Sequence, residues 1–140
     1  MKLPLPKPPP KAQKKMSLAE MNKTLDQASK NFRVAIFKGD YEDAYKKILP
    51  AYQLVPQHPN ILMDLAFTEL RLQKFELAYE HYTKAVKYSG PQVNTYIYDG
   101  LTEVCHFLGK SEECVQIGRL AIQTKKDMVA NEPILKVIQA

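Results

Sequence analysis

Cys105 and His106 are the nearest thing in this sequence to a reactive pair, a thiol beside an imidazole. A thiol nucleophile needs its base within hydrogen-bond reach. Neighbours on a helix point about 100° apart, so these two cannot easily share a proton or a metal. Asp99 and Glu103 are four residues apart and would share one helix face, as a general acid and base require. No second functional group accompanies them, and the plain reading is a solvated face. His58 falls between prolines in a turn, and His81 falls on the polar side of its helix. Two cysteines, Cys105 and Cys114, are too few for a disulfide framework or a metal set. They read as buried free thiols in a reducing cytoplasm. The sequence therefore predicts no catalytic residue, no metal site and no cofactor.

Charge narrows the partners. The chain of 140 residues carries a net charge of +5. Residues 1–16 hold Lys2, Lys7, Lys11, Lys14 and Lys15 with no acid, which accounts for all of it. Of 20 basic residues, 15 are left to balance 15 acidic ones, so no overall basic field points to nucleic acid. No apolar run approaches the roughly 18 residues of a membrane span, which predicts no membrane insertion. Prolines stand where a secretory signal needs its apolar run, and the expected location is cytoplasmic. The stretch "MKLPLPKPPPKAQKK" contains five of the ten prolines. It predicts an extended polyproline II or disordered tail over residues 1–16. Pro6, Pro9 and Lys11 fit one orientation of a polyproline ligand, a match that so proline-dense a leader makes by composition.

The elements that would position these groups are helical. Ser17 and Glu20 have capping-box spacing. Leu18, Met21, Leu25, Ala28, Phe32, Ala35 and Ile36 then make one apolar stripe. Gly39 ends that helix and Asp40 caps the next, from Tyr41 to about Leu54, with Pro50 predicting a kink or an early end. Further helices are expected over Asn60–Leu72, Phe75–Tyr88 and Val93–Leu108, then from Ser111, as cap, to about Lys125. A last short helix would begin near "NEP", with Asn131 as cap and Pro133 in its first turn. No segment alternates with period two, so the chain reads as all-α, built of antiparallel pairs.

These pairs recur. Ala44 and Ala78 are 34 residues apart, and Cys114 follows Ala78 by 36. Seven residues after each comes another alanine, Ala51, Ala85 and Ala121. Small side chains at fixed places let two helix backbones approach, and a pair that cannot bury its apolar face alone stacks on the next.

With Leu62, Leu65, Ala66, Ala78, Tyr82 and Ala85 in its middle unit, the sequence resembles the tetratricopeptide repeat (TPR) family over about residues 25–126. Glu69 stands there where an aromatic is usual, and Gly90 where proline is. The first unit supplies Ala44, Ile48, Ala51 and Pro56. Its Asn31 and Phe32 stand where Leu and Gly are usual, which implies helices set further apart. The third supplies Tyr98, Leu101 and Ala121, with Cys114 and Gly118 at the small and aromatic places. The resemblance implies an α-α superhelix, a TPR solenoid, of three helix pairs at about 17–57, 58–91 and 92–126. Residues 127–140 would form a capping helix or open a downstream segment.

The resemblance also implies a concave groove, lined by the first helix of each pair, that holds a peptide or helix of a partner. Carried over, its positions are Asp26, Ser29, Arg33, Ile36 and Phe37 in the first repeat. The second gives Asn60, Met63, Phe67, Leu70 and Arg71, and the third Tyr96, Asp99, Glu103, His106 and Phe107. Met63, Phe67, Tyr96 and Phe107 would form an apolar strip, with Arg33, Arg71, Asp99 and Glu103 as a mixed rim. The clamp by which some TPR domains hold chaperone C-termini would fall on Ser29, Arg33, Asp64, Tyr96 and Gly100. Asp64 would repel a carboxylate and the third-repeat cations are missing, so heat-shock chaperone tails are not expected partners.

The implied function is a non-catalytic module for protein–protein interaction. One alternative is the N-terminal TPR segment of a longer bacterial enzyme, such as a glycosyltransferase, docking its protein substrate. The apolar "PILKVIQA" speaks for it, because a solenoid needs a polar terminal cap. Another is a small TPR secretion chaperone. Self-association into a homodimer is compatible with the sequence.

Overall fold

The computed structural model describes residues 16–131, with side chains through residue 127. Six helices follow in order, α1 Leu18–Phe37, α2 Tyr41–Leu54, α3 Pro59–Arg71, α4 Phe75–Ser89, α5 Thr95–Phe107 and α6 Ser111–Asn131. There is no strand among the described residues. The proline- and lysine-rich segment over residues 1–15 and the expected helix containing Pro133 lie outside them.

Each helix pair is closed by the same turn. In the first, the Asp40 amide donates to the Ala35 carbonyl at 3.0 Å and the Gly39 amide to the Ile36 carbonyl at 3.0 Å. The second repeats this with Lys74 to Glu69 at 2.8 Å and Gln73 to Leu70 at 3.1 Å. The third uses Lys110 to Cys105 at 2.8 Å and Gly109 to His106 at 3.1 Å. All three are Schellman motifs, which need a left-handed residue just past the helix end. Gly39 and Gly109 supply it at φ 74° and 72°, but the middle turn forces Gln73 to φ 62°.

Two helix starts match the expected caps, Ser17 and Asp40, and α3 adds one that was not expected, His58. The Glu20 amide donates to Ser17 Oγ at 3.1 Å and the Asp43 amide to Asp40 Oδ1 at 3.1 Å. His58 caps α3 by accepting from the Asn60 amide at Nδ1, 3.2 Å, with Pro59 in the first turn. Others differ. Ser111 is the first helical residue of α6 rather than its cap, because the Cys114 amide donates to the Lys110 carbonyl at 2.9 Å. Pro50 neither ends nor shortens α2, which continues to Leu54. Its side is exposed, so water can serve the carbonyl that proline leaves without a donor. The backbone also stays helical past Lys125 to Asn131, so Asn131 lies inside α6 and does not cap a separate helix.

The helices pack as α1 with α2, α3 with α4 and α5 with α6, and the pairs join through α2 with α3 and α4 with α5. The result is an all-α fold of stacked antiparallel helix pairs. Alanines 44, 51, 78 and 85 are wholly buried where second helices press against their neighbours. Leu62, Leu65, Ile48 and Tyr82 fill the spaces between, each contributing about 1.5–3 kcal/mol of burial. The first pair is not splayed. Phe32 is buried against Ala44 and Ile48 in one cluster, and α1 packs on α2 at least as extensively as α3 on α4. The expected stripe of α1 is buried only from Ala28 onward, while Leu18 is exposed and overhangs the stack.

Candidate functional site

One face of α3 and one face of α5 make the site. Met63, Phe67 and Arg71 recur every four residues along α3, with Asp64 beside them. On α5, Tyr96, Asp99, Gly100 and Glu103 recur the same way. The two helices touch directly, whereas α1 makes no comparable contact with α3. Between α3 and α5 lies an open cleft of about 330 Å³ lined by these eight residues and Tyr82.

Gly100 gives the cleft its floor. A Cβ at that position would lie 2.2 Å from Tyr82 Cζ. The missing side chain lets Tyr82, rooted on α4, push its ring tip against the α5 backbone. Burial, and then the charge of Glu103, push the Tyr82 hydroxyl well above the ordinary tyrosine range.

The walls are aromatic and the rim is charged. Phe67 meets Tyr41 edge-on with ring centroids 6.4 Å apart, and the Arg71 guanidinium lies 5.1 Å from the Phe67 centroid. Tyr96 is 71% exposed, a large apolar plate open to solvent. Arg71 pairs with Glu103 at 3.6 Å and Lys125 with Asp99 at 3.2 Å. Both pairs are roughly half exposed, so each contributes only about 0–1 kcal/mol and exchanges readily. Asp64 has no ion-pair partner among the described residues. Burial raises its carboxyl to about 6, with the Arg33 charge pulling the other way.

Of the ten candidate groove residues, Met63, Phe67, Arg71, Tyr96, Asp99 and Glu103 line this cleft. Arg33, Phe37, Asn60 and His106 do not. Arg33 reaches the site through its charge on Asp64, and Phe37 stands 92% exposed. Asn60 and His106 are exposed elsewhere on their helices. Phe107 leaves the expected apolar strip to stack on Phe75, with centroids 4.7 Å apart. Leu70 is buried in the core. The contribution of Tyr82 escaped the sequence reading. Its one signal was Gly100, a glycine inside a helix with no turn to make.

A second polar cluster lies apart from the cleft. His81 is not on a polar face but buried, with Nδ1 2.5 Å from Glu69 Oε1. Glu69 is wholly buried and its Oε2 has no hydrogen-bond partner among the described residues. From α2, the Tyr52 ring meets His81 edge-on at 5.5 Å, and burial followed by the Glu69 charge raises the Tyr45 hydroxyl. Glu69 stands where the repeat resemblance implies an aromatic. His81, twelve residues on, is the side chain that meets it.

Burial, with Glu113 next, pushes the Cys105 thiol up to about 11, which keeps it protonated and unreactive. Cys114 is half-buried and its thiol donates to the Thr102 carbonyl at 3.4 Å. Among the described residues no three His, Cys, Asp or Glu side chains gather as a metal set. None of the described helices is long and apolar enough to cross a membrane. Compared with known proteins, the sequence is matched by no protein-family model and by no curated protein.

Proposed function

We propose that this chain is a non-catalytic protein-binding module of TPR type, acting in the cytoplasm through the cleft between α3 and α5. The observation that carries the reading is the make-up of that cleft. An exposed aromatic plate, Tyr96, and a half-buried one, Phe67, stand over a floor of Met63, Gly100 and Tyr82, and exchangeable charges edge them. Such a surface seats an apolar anchor of a peptide or helix, while rim charges set its orientation. The 34- and 36-residue recurrence of one hairpin supports the family assignment, as does the shared turn that closes each.

Phe67→Ala combined with Tyr96→Ala tests the reading. Peptide and partner capture by the full chain should be lost, with helicity and melting nearly unchanged. Capture that survives the double substitution overturns it.

A second reading is an array that docks substrates for an enzyme domain following it. The outer face of α6 favours this, because Val115, Leu120 and Ile122 are more than half exposed on the last described helix. At the registers of Val115 and Ile122, Tyr45 and Tyr52 of α2 and Tyr79 and Val86 of α4 are partly buried against the core.

A further inference from the structure

The cleft and the chain's own leader have matching chemistry. The lining contributes three carboxylates, Asp64, Asp99 and Glu103, and one cation, Arg71. Asp64 is unpaired among the described residues, and the Lys125–Asp99 and Arg71–Glu103 pairs are exposed enough to be traded for other partners. Tyr96 offers an open aromatic face, and the half-buried Phe67 ring lies beside it in the lining. Prolines dock on such faces at low entropic cost, and lysines flanking them seek acids at the edge. Residues 1–15 contain five prolines and five lysines and no acidic residue.

The geometry allows the two to meet. In an antiparallel stack α1, α3 and α5 run the same way, so α1 starts on the edge where the cleft-lining helices start. The α1 helix has 20 residues and α3 has 13, so it overhangs by about 10 Å at 1.5 Å per residue. Because α1 touches α2 and not α3, the path from α1 to α5 is at most three packed helix spacings, about 24–30 Å. The twelve steps from Pro6 to the start of α1 span about 37 Å in polyproline II conformation, enough for that path. A covalently joined segment also competes at an effective concentration near millimolar.

We infer that residues 1–15 occupy the cleft between α3 and α5 when no partner is bound, the Pro6–Lys11 stretch lying along Phe67 and Tyr96. The leader is thus an internal competitor that a partner must displace. This inference rests on the peptide-binding reading of the same cleft.

A nitroxide on Ala12→Cys in the full chain tests it, because Cys105 is buried with a raised thiol and is a poor labelling site. Replacing Cys114 by serine leaves position 12 as the reactive thiol. The label should remove amide signal intensity from Met63, Phe67, Tyr96 and Gly100 and leave Val115 on the outer face of α6 untouched. Pro6→Ala, Pro9→Ala and Lys11→Gln together alter no described helix and should restore those signals, as should high salt. Cleft amides no more affected than Val115, or unchanged by the leader substitutions, overturn the inference. If the leader stays out while capture of other peptides still depends on Phe67 and Tyr96, only the inference falls. If that dependence is absent too, the binding reading falls with it.

Discussion

At the scale of single residues, Asp64 has the clearest consequence. Its carboxyl titrates at about 6 in the fold against an ordinary 3.8, because burial disfavours the charged form. The folded chain therefore holds a proton that the unfolded chain has already released. The stabilisation is complete below about pH 4 and is lost as pH rises through about 6. Asp64→Asn should flatten this part of the stability–pH curve and raise the melting temperature at pH 7. A curve of unchanged slope would show that Arg33 already compensates the buried charge. The same titration bears on binding, since a cationic side chain entering the cleft meets a full negative charge only above that pH.

At the scale of elements, the turns carry the repeat. Gly39 and Gly109 adopt a left-handed conformation at no steric cost, while Gln73 adopts it against its Cβ. Gln73→Gly should raise stability by about 1 kcal/mol, read as a higher urea midpoint, and Gly39→Ala should lower it by a similar amount. A destabilising Gln73→Gly would mean that the glutamine side chain contributes something the turn geometry does not explain. Much of this level was legible in the sequence. Glycine marked two of the three turns, and Ser17, Asp40 and proline marked helix starts through local chemistry that acts over three or four residues. Gln73 was not legible as a left-handed residue, because the hydrogen bonds of the turn and the packing of α3 on α4 impose that conformation from outside. The overrun of α6 and the passage of α2 through Pro50 escaped for a related reason. Neither stop signal outweighs a helix held by packing. In the cleft, Phe67, Tyr96 and the rim charges followed from the repeat register. The absence of Arg33 and Phe37 from its lining did not follow, because it depends on how far α1 stands from α3.

At the scale of the whole molecule, a stack of pairs is held by its internal packing and its nearest-neighbour joints. The buried Glu69–His81 contact links α3 to α4, and Tyr45 and Tyr52 of α2 lie over it, so it sits at the joint of the first two pairs. His81→Ala would leave the Glu69 carboxylate buried with no partner, which costs about 3 kcal/mol or more. Replacing both by leucine should recover most of that loss, since a buried polar pair and an apolar one of similar volume differ little. Chemical denaturation of the two singles and the double checks this, and additive losses would refute the pairing.

The absent methyl group at position 100 links floor and frame. Because Tyr82 reaches α5 from the rear row of helices, anything resting in the cleft presses on a side chain anchored behind it. Load on one wall is borne by both rows, so filling the cleft braces the packing of the second hairpin on the third as well as covering a surface.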